Sequence, residues 1–161
     1  MKQLYLILSF LFITNIYSQP KLIPDFRLES ISGEKVSLYE LLRTGPVYIN
    51  FWAMWCVPCR AELKALQQIY NEIKYKGVNV ISINIDSPRS TSKVKSFIAG
   101  QKYTFPVLLD PNQEVFKKLN GYNLPYSLLI DRDGKLVKVR NSYLPGDERE
   151  IKKDIQSLIK Y

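Results

Sequence analysis

A run of β-forming residues from Val47 to Phe51 gives way within a few positions to helix-forming sequence from Pro58 to Lys76, and the chain's two cysteines sit at that junction. A short, largely apolar strand of this kind belongs inside a sheet covered on both faces. Cys56 and Cys59 therefore lie where a buried strand hands over to a helix. A helix N-terminus leaves backbone N–H groups unpaired and carries partial positive charge. A thiolate held there is stabilised, so its pKa falls and it reacts near neutral pH. Pro58 suits the first helical turn, where its missing N–H costs little. The spacer Val57-Pro58 brings both sulfurs onto one turn, within disulfide reach.

The chain's 161 residues contain no histidine. That excludes Ser-His-Asp and Cys-His machinery, and with them the HExxH metal site. A structural zinc site takes four ligands, usually Cys and His, and only two are on offer. No metal and no cofactor are expected. The use left for two cysteines at this spacing is reversible redox chemistry with each other. The bland alternative is an inert structural disulfide, and the place at a helix start speaks against it. The formal charge is +8, from 23 basic and 15 acidic residues. The basic residues are dispersed from Lys21 to Lys160, which reads as a solvated surface. No nucleic-acid partner is expected, since no motif for one is present.

Met1-Lys2-Gln3, the apolar run Leu4 to Ile13 and the small or polar Thr14, Asn15 and Ser18 fit a secretory signal peptide over residues 1–18. The run is short for a membrane span and holds no cysteine for a lipid anchor. Membrane contact is expected only through this leader, were it to stay uncleaved. One domain, residues 19–161, follows. Phe26 to Leu28 and Lys35 to Leu38 flank a Ser32-Gly33 turn and predict a hairpin. A helical turn at Tyr39 to Leu42 ends at Gly45-Pro46. Gly77 is expected to cap the helix that begins at Pro58. Val78 to Ile85 reads as a strand, Ser90 to Ala99 as a helix, Phe105 to Leu109 as a strand, and Gln113 to Leu119 as a short helix. Ser127 to Ile130 and Leu136 to Val139 form a hairpin across Asp131-Arg132-Asp133-Gly134. Asp147 to Ile159 is an amphipathic helix with Ile151, Ile155, Leu158 and Ile159 on one stripe. Strands alternating with helices predict an α/β, three-layer fold, a central mixed sheet flanked by helices.

The segment Phe51-Trp52-Ala53-Met54-Trp55-Cys56-Val57-Pro58-Cys59-Arg60-Ala61-Glu62 resembles the active site of the thioredoxin superfamily, and most of all its exported TlpA/ResA-like branch. The likeness runs from about residue 24 to 160. It includes Pro24-Asp25-Phe26, Gly33 to Leu38, Phe105 to Asp110 and Leu128 to Lys135. The resemblance implies a thioredoxin-like fold with an N-terminal β-hairpin extension. It implies an extracytoplasmic or periplasmic thiol-disulfide oxidoreductase, more a reductase than an oxidant. Partners would be disulfide-containing exported proteins, apocytochrome c among them, and a membrane or periplasmic thiol donor. Two other readings stand beside it. One is a thiol peroxidase, although such enzymes carry Thr or Ser where this chain has Ala53. The other is a non-catalytic binding module.

In this scheme Cys56 attacks a partner disulfide and Cys59 resolves the mixed disulfide. By the resemblance, Pro125 in Gly121-Tyr122-Asn123-Leu124-Pro125-Tyr126-Ser127 is a cis-proline facing the cysteines. Leu124 would offer its backbone to substrate. Tyr126, where relatives often have threonine, would reshape the substrate groove. Trp55, Val57 and Pro58 would complete the contact surface, with Trp52 left to the core. Cytoplasmic thioredoxins place a buried aspartate six residues before the first cysteine; here Asn50 stands there and cannot titrate. The TlpA/ResA-like branch instead places a glutamate three residues after the second cysteine, which is Glu62. Helical spacing agrees, because Glu62, Leu66, Ile69 and Ile73 form one stripe. Burial on that stripe would raise the pKa of Glu62 and suit it to acid-base work on Cys59.

Overall fold

The computed structural model describes residues 21–159. The expected leader lies outside them. Among the described residues, seven strands form one sheet in the order β2-β1-β5-β4-β3-β6-β7. The N-terminal hairpin pairs β1 (Arg27–Ser30) with β2 (Lys35–Ser37), Arg27 opposite Ser37. The short helix α1 (Leu38–Leu42) follows, with Ser37 capping its N-terminus. Strand β3 (Val47–Trp52) is buried along all its length. It runs parallel to β4 (Asn79–Asn84) and antiparallel to β6 (Tyr126–Ile130). Strand β5 (Val107–Leu109) lies parallel to β4, and β7 (Leu136–Arg140) closes the other edge against β6. The helices between them are α2 (Val57–Ile73), α3 (Thr91–Gln101), α4 (Glu114–Lys118) and α5 (Asp147–Ser157).

Alternation along β3 shows how the helices cover the sheet. Phe51 and Trp52 point to opposite faces. Trp52 meets Phe97 of α3, with ring centroids 5.7 Å apart. Phe51 meets Phe116 of α4 at 5.4 Å. Tyr48, which shares the face of Trp52, bonds to Glu62 of α2. So α2 and α3 lie on one face and α4 on the other, the three-layer arrangement expected. The buried face of α2 presents Cys59, Glu62, Leu63, Leu66, Ile69 and Ile73 to the sheet. Each fully buried leucine there contributes about 1.5–3 kcal/mol relative to exposure. On the opposite side of the sheet, Phe51, Phe116 and Tyr126 form a tight aromatic trio.

The elements fall where the sequence places them, with a few shifted ends. Helix α2 stops at Ile73 and is capped by Lys74, not by Gly77. Gly77, at φ +70°, belongs to the turn beyond. Its carbonyl packs so close to Gly45 that a Cβ there would collide with it. Strand β5 begins at Val107 rather than Phe105 because Phe105 turns into the core and Pro106 has no N–H to give a ladder. Helix α5 ends at Ser157, yet Ile159 is still buried beyond it.

Candidate active site

Cys56 and Cys59 form a disulfide, with Cα atoms 5.2 Å apart. Cys56 is the N-cap of α2: its backbone is extended, at φ −82° and ψ 100°, and its Sγ accepts from the Cys59 N–H at 3.2 Å. The sulfur thus takes the place that a Ser or Asp oxygen fills at an ordinary cap. Pro58 sits in the first turn of α2, where no donor is lost. Cys59 is fully buried and Cys56 is 4% exposed. Around them the surface is apolar and open: Trp55 is 71% exposed and Val57 66%. Pro58 is exposed as well.

The loop carrying Met54 and Trp55 is held by groups that sequence reasoning passed over. Asp86, just beyond β4, accepts the Met54 N–H at 2.7 Å and the Asn84 side-chain amide at 2.8 Å. Arg60, on the first turns of α2, donates to the Met54 carbonyl. No motif marks Asp86. Its role follows from β4 lying next to β3, so that their ends meet.

Pro125 enters the site through β6. The Leu124–Pro125 peptide bond is cis. The pairing of Phe51 with Tyr126 puts Pro125 at the end of the sheet where β3 leads into the cysteines. Pro125 is buried and Leu124 half-buried. Asn123 donates to the Asn141 carbonyl and ties this loop to the one after β7. Tyr126 corrects an expectation. Its ring is buried between Phe51 and Phe116, and its hydroxyl donates to the Leu119 carbonyl at 2.7 Å. Strand alternation turns it to the α4 face, so its side chain does not line a groove at the cysteines. Trp52 is in the core, as expected.

Glu62 lies one helical turn beyond Cys59 on the same buried face of α2, and is itself 1% exposed. Its Oε1 accepts from the Tyr48 hydroxyl at 3.0 Å and the Ser127 hydroxyl at 2.9 Å. Ser127 in turn accepts from the Asn50 amide at 3.3 Å. Ser82, Asn50, Ser127 and Arg140 are successive register partners across β4, β3, β6 and β7. They make a polar row beneath α2. Burial raises the Glu62 pKa from 4.5 to about 7, against the opposing pull of the Ser127 and Tyr48 hydrogen bonds. Burial, and then the nearby Glu62 charge, pushes the Tyr48 phenol well above its ordinary value. Tyr48 was missed at the sequence level. The signal was its spacing of two from Asn50, which puts both on one face.

A disulfide capping the helix that leaves a central strand, with a cis-proline at the same end of the sheet, defines a thioredoxin-like protein. The chain belongs to the AhpC/TSA family, whose profile matches residues 21–139. A thiol-disulfide oxidoreductase ResA of Bacillus thuringiensis is 35% identical over 115 residues, covering 71% of this chain and 65% of the relative. This chain therefore spans less than two thirds of that relative's length. A ResA of Halalkalibacterium halodurans is 32% identical over 136 residues, covering 84% of this chain and 74% of the relative. Among solved structures, a Chlorobium tepidum protein assigned as the thiol:disulfide interchange protein DsbE superposes with a TM-score of 0.80 at 30% identity, over 88% of this chain and 97% of that one.

Proposed function

We propose that the chain is an exported thiol-disulfide reductase acting on disulfide-bearing proteins outside the cytoplasm. The observation that carries the reading is the Cys56–Cys59 disulfide at the N-terminus of α2, beneath the exposed Trp55 and Val57. In the reduced protein the helix end stabilises a Cys56 thiolate. That thiolate attacks one sulfur of a partner disulfide. A Cys56–partner bond forms, the partner's S–S bond breaks, and its other sulfur leaves as a thiolate. Cys59 then gives its proton to Glu62 and attacks the Cys56 sulfur. The mixed disulfide breaks, the partner's second thiolate departs, and the Cys56–Cys59 disulfide is restored. The partner has gained two electrons, which a thiol donor at the membrane or in the periplasm returns to the chain. Residues 1–18 supply export, and residues 19–161 the catalytic domain.

The cis Leu124–Pro125 turn and the apolar rim of Trp55, Val57, Pro58 and Leu124 suit an extended polypeptide, with Leu124 supplying backbone contacts. The resemblance to the TlpA/ResA-like branch favours apocytochrome c as substrate. The peroxidase reading gains nothing from the site, since buried Ala53 brings no hydroxyl there. The test is reduction of an oxidised Cys-Xaa-Xaa-Cys-His peptide and of insulin by the dithiol form. Wild type turns over both and prefers the peptide, Cys56→Ser is inert, and Cys59→Ser accumulates a mixed disulfide visible by mass. Equal rates for wild type and Cys56→Ser would reject the enzyme.

A further inference from the structure

The Glu62 carboxylate is held in a lopsided way. Oε1 takes two hydroxyl donors, from Tyr48 and Ser127, while Oε2 is buried with no partner. The Asn50 Oδ1 is a second buried acceptor without a partner in the same cluster. The one thing these atoms lack is a donor. A proton on Oε2 supplies it, and an oxygen already accepting two hydrogen bonds is the poorer place for that proton. Tyr48 is 2% exposed, and its hydroxyl is spent on Glu62. Placing a phenol under α2 costs desolvation that an apolar ring would not, so the hydroxyl is there for the bond it makes.

We propose that Tyr48 is a positioning residue for Glu62: with Ser127 it fastens Oε1, leaving Oε2 as the atom that takes and returns the Cys59 proton. The proposal rests on the reading of Glu62 as the group that handles that proton. Because both hydroxyls bond the charged form, removing either makes Glu62 hold its proton to higher pH.

The surroundings make this measurable. The charged and titratable groups facing Glu62 are Tyr48 from β3, Arg140 from β7, Tyr143 from the loop after β7, and Cys59 on its own helix. Arg140 is paired with Asp154 of α5, whose lysine and arginine partners hold it below the usual carboxylate range. Burial pushes both tyrosines upward. In the disulfide form the cysteines do not titrate. Among the groups of the cluster whose pKa is shifted, Glu62 is therefore the one that changes charge between pH 5 and 9.

The experiment is ¹³C NMR titration of the glutamate carboxyls in the oxidised protein, together with the pH profile of disulfide exchange. Tyr48→Phe, which keeps the ring, raises the Glu62 midpoint by about one pH unit and moves the exchange profile with it. Ser127→Ala moves both the same way. Ser82→Ala removes a buried hydroxyl from the same polar row but makes no bond to Glu62, and leaves the midpoint where it was. An unmoved midpoint in Tyr48→Phe overturns the proposal. So does an equal shift in Ser82→Ala, which would point to general solvation of the sheet face. Glu62→Gln separates the two readings. If it leaves exchange unchanged while Tyr48→Phe still moves the Glu62 midpoint, Glu62 is not the proton acceptor but Tyr48 does position it.

Discussion

Glu62 should make the oxidised protein less stable as pH rises, and Glu62→Gln should abolish that loss. The folded pKa is raised from 4.5 to about 7, so between those values the native state holds a proton that the unfolded chain has released. Protonation then favours the native state. The advantage is complete below about pH 4.5 and fades as pH rises through about 7. At 1.36 kcal/mol per pKa unit the loss across this window is about 3 kcal/mol. That is a large share of the ~5–15 kcal/mol typical of a domain. Other shifted carboxylates do not blur it. Asp154 and Glu148 are shifted downward, so their contributions vanish on acidification, below the same window. Urea unfolding of wild type and Glu62→Gln at pH 5 and pH 8 measures the effect, with the disulfide kept intact so that the transition stays simple. The glutamine side chain of the variant keeps an oxygen for Tyr48 and Ser127 but puts amide hydrogens where Oε2 sits. That offset is independent of pH and cancels when each protein is compared with itself. Wild type should lose about 2.5 kcal/mol between the two pH values, since part of the loss has already occurred at pH 5, and the variant little. Parallel pH dependence in the two proteins would refute the assignment of a raised pKa to Glu62.

The site's supports and rim can be tested in the same way. Asp86→Ala removes the acceptor of the Met54 N–H and should cost about 1–3 kcal/mol in denaturation, with slower exchange because the Trp55 loop loosens. Gly121→Ala drives a Cβ into the Phe116 ring. It should destabilise the protein by about 1–3 kcal/mol, with changed near-ultraviolet circular dichroism from the aromatic trio. Trp55→Ala should leave the unfolding midpoint in place, since the indole is 71% exposed, and raise KM for a polypeptide substrate more than it lowers kcat. Loss of stability in that variant would show that the ring packs rather than recognises.

The sequence disclosed most of the fold because its signals are local. Val47 to Phe51 is a short run of β-formers following Gly45-Pro46, consistent with a buried strand, and the Asp131 to Gly134 turn signal lies between two further strands. The leading end of α2 was legible because Cys56 and Pro58 are both suited to a first turn. Its trailing end was not, since Gly77 serves the close approach to Gly45 rather than the helix. Glu62 could be read from its place on an apolar stripe. Its partners could not, because Tyr48 and Ser127 are 14 and 65 positions away and meet it through sheet register. Tyr126 failed for a related reason. Resemblance put it beside the cis-proline, while alternation from Phe51 turned its side chain to the other face.

These two faces explain how the sheet tolerates so costly a site. The polar row from Ser82 to Arg140 leaves Ser82 Oγ, Asn50 Oδ1 and Glu62 Oε2 buried without partners, each a destabilising feature of order ~1–3 kcal/mol. The same strands carry Phe51 and Tyr126 on the reverse, where with Phe116 they form a compact aromatic cluster. Strand alternation lets one segment of β3 do both: Tyr48, Asn50 and Trp52 face the helix that bears the cysteines, and Val47, Ile49 and Phe51 face the opposite layer. The aromatic cluster adds stability on one side, and on the other the polar row lies beside the buried leucines and isoleucines of α2. Ser82→Ala, which removes a buried hydroxyl without a partner, should therefore cost the fold little or strengthen it, whereas Ser127→Ala takes away a donor that the buried Glu62 carboxylate uses and should destabilise it by about 1–3 kcal/mol in urea unfolding.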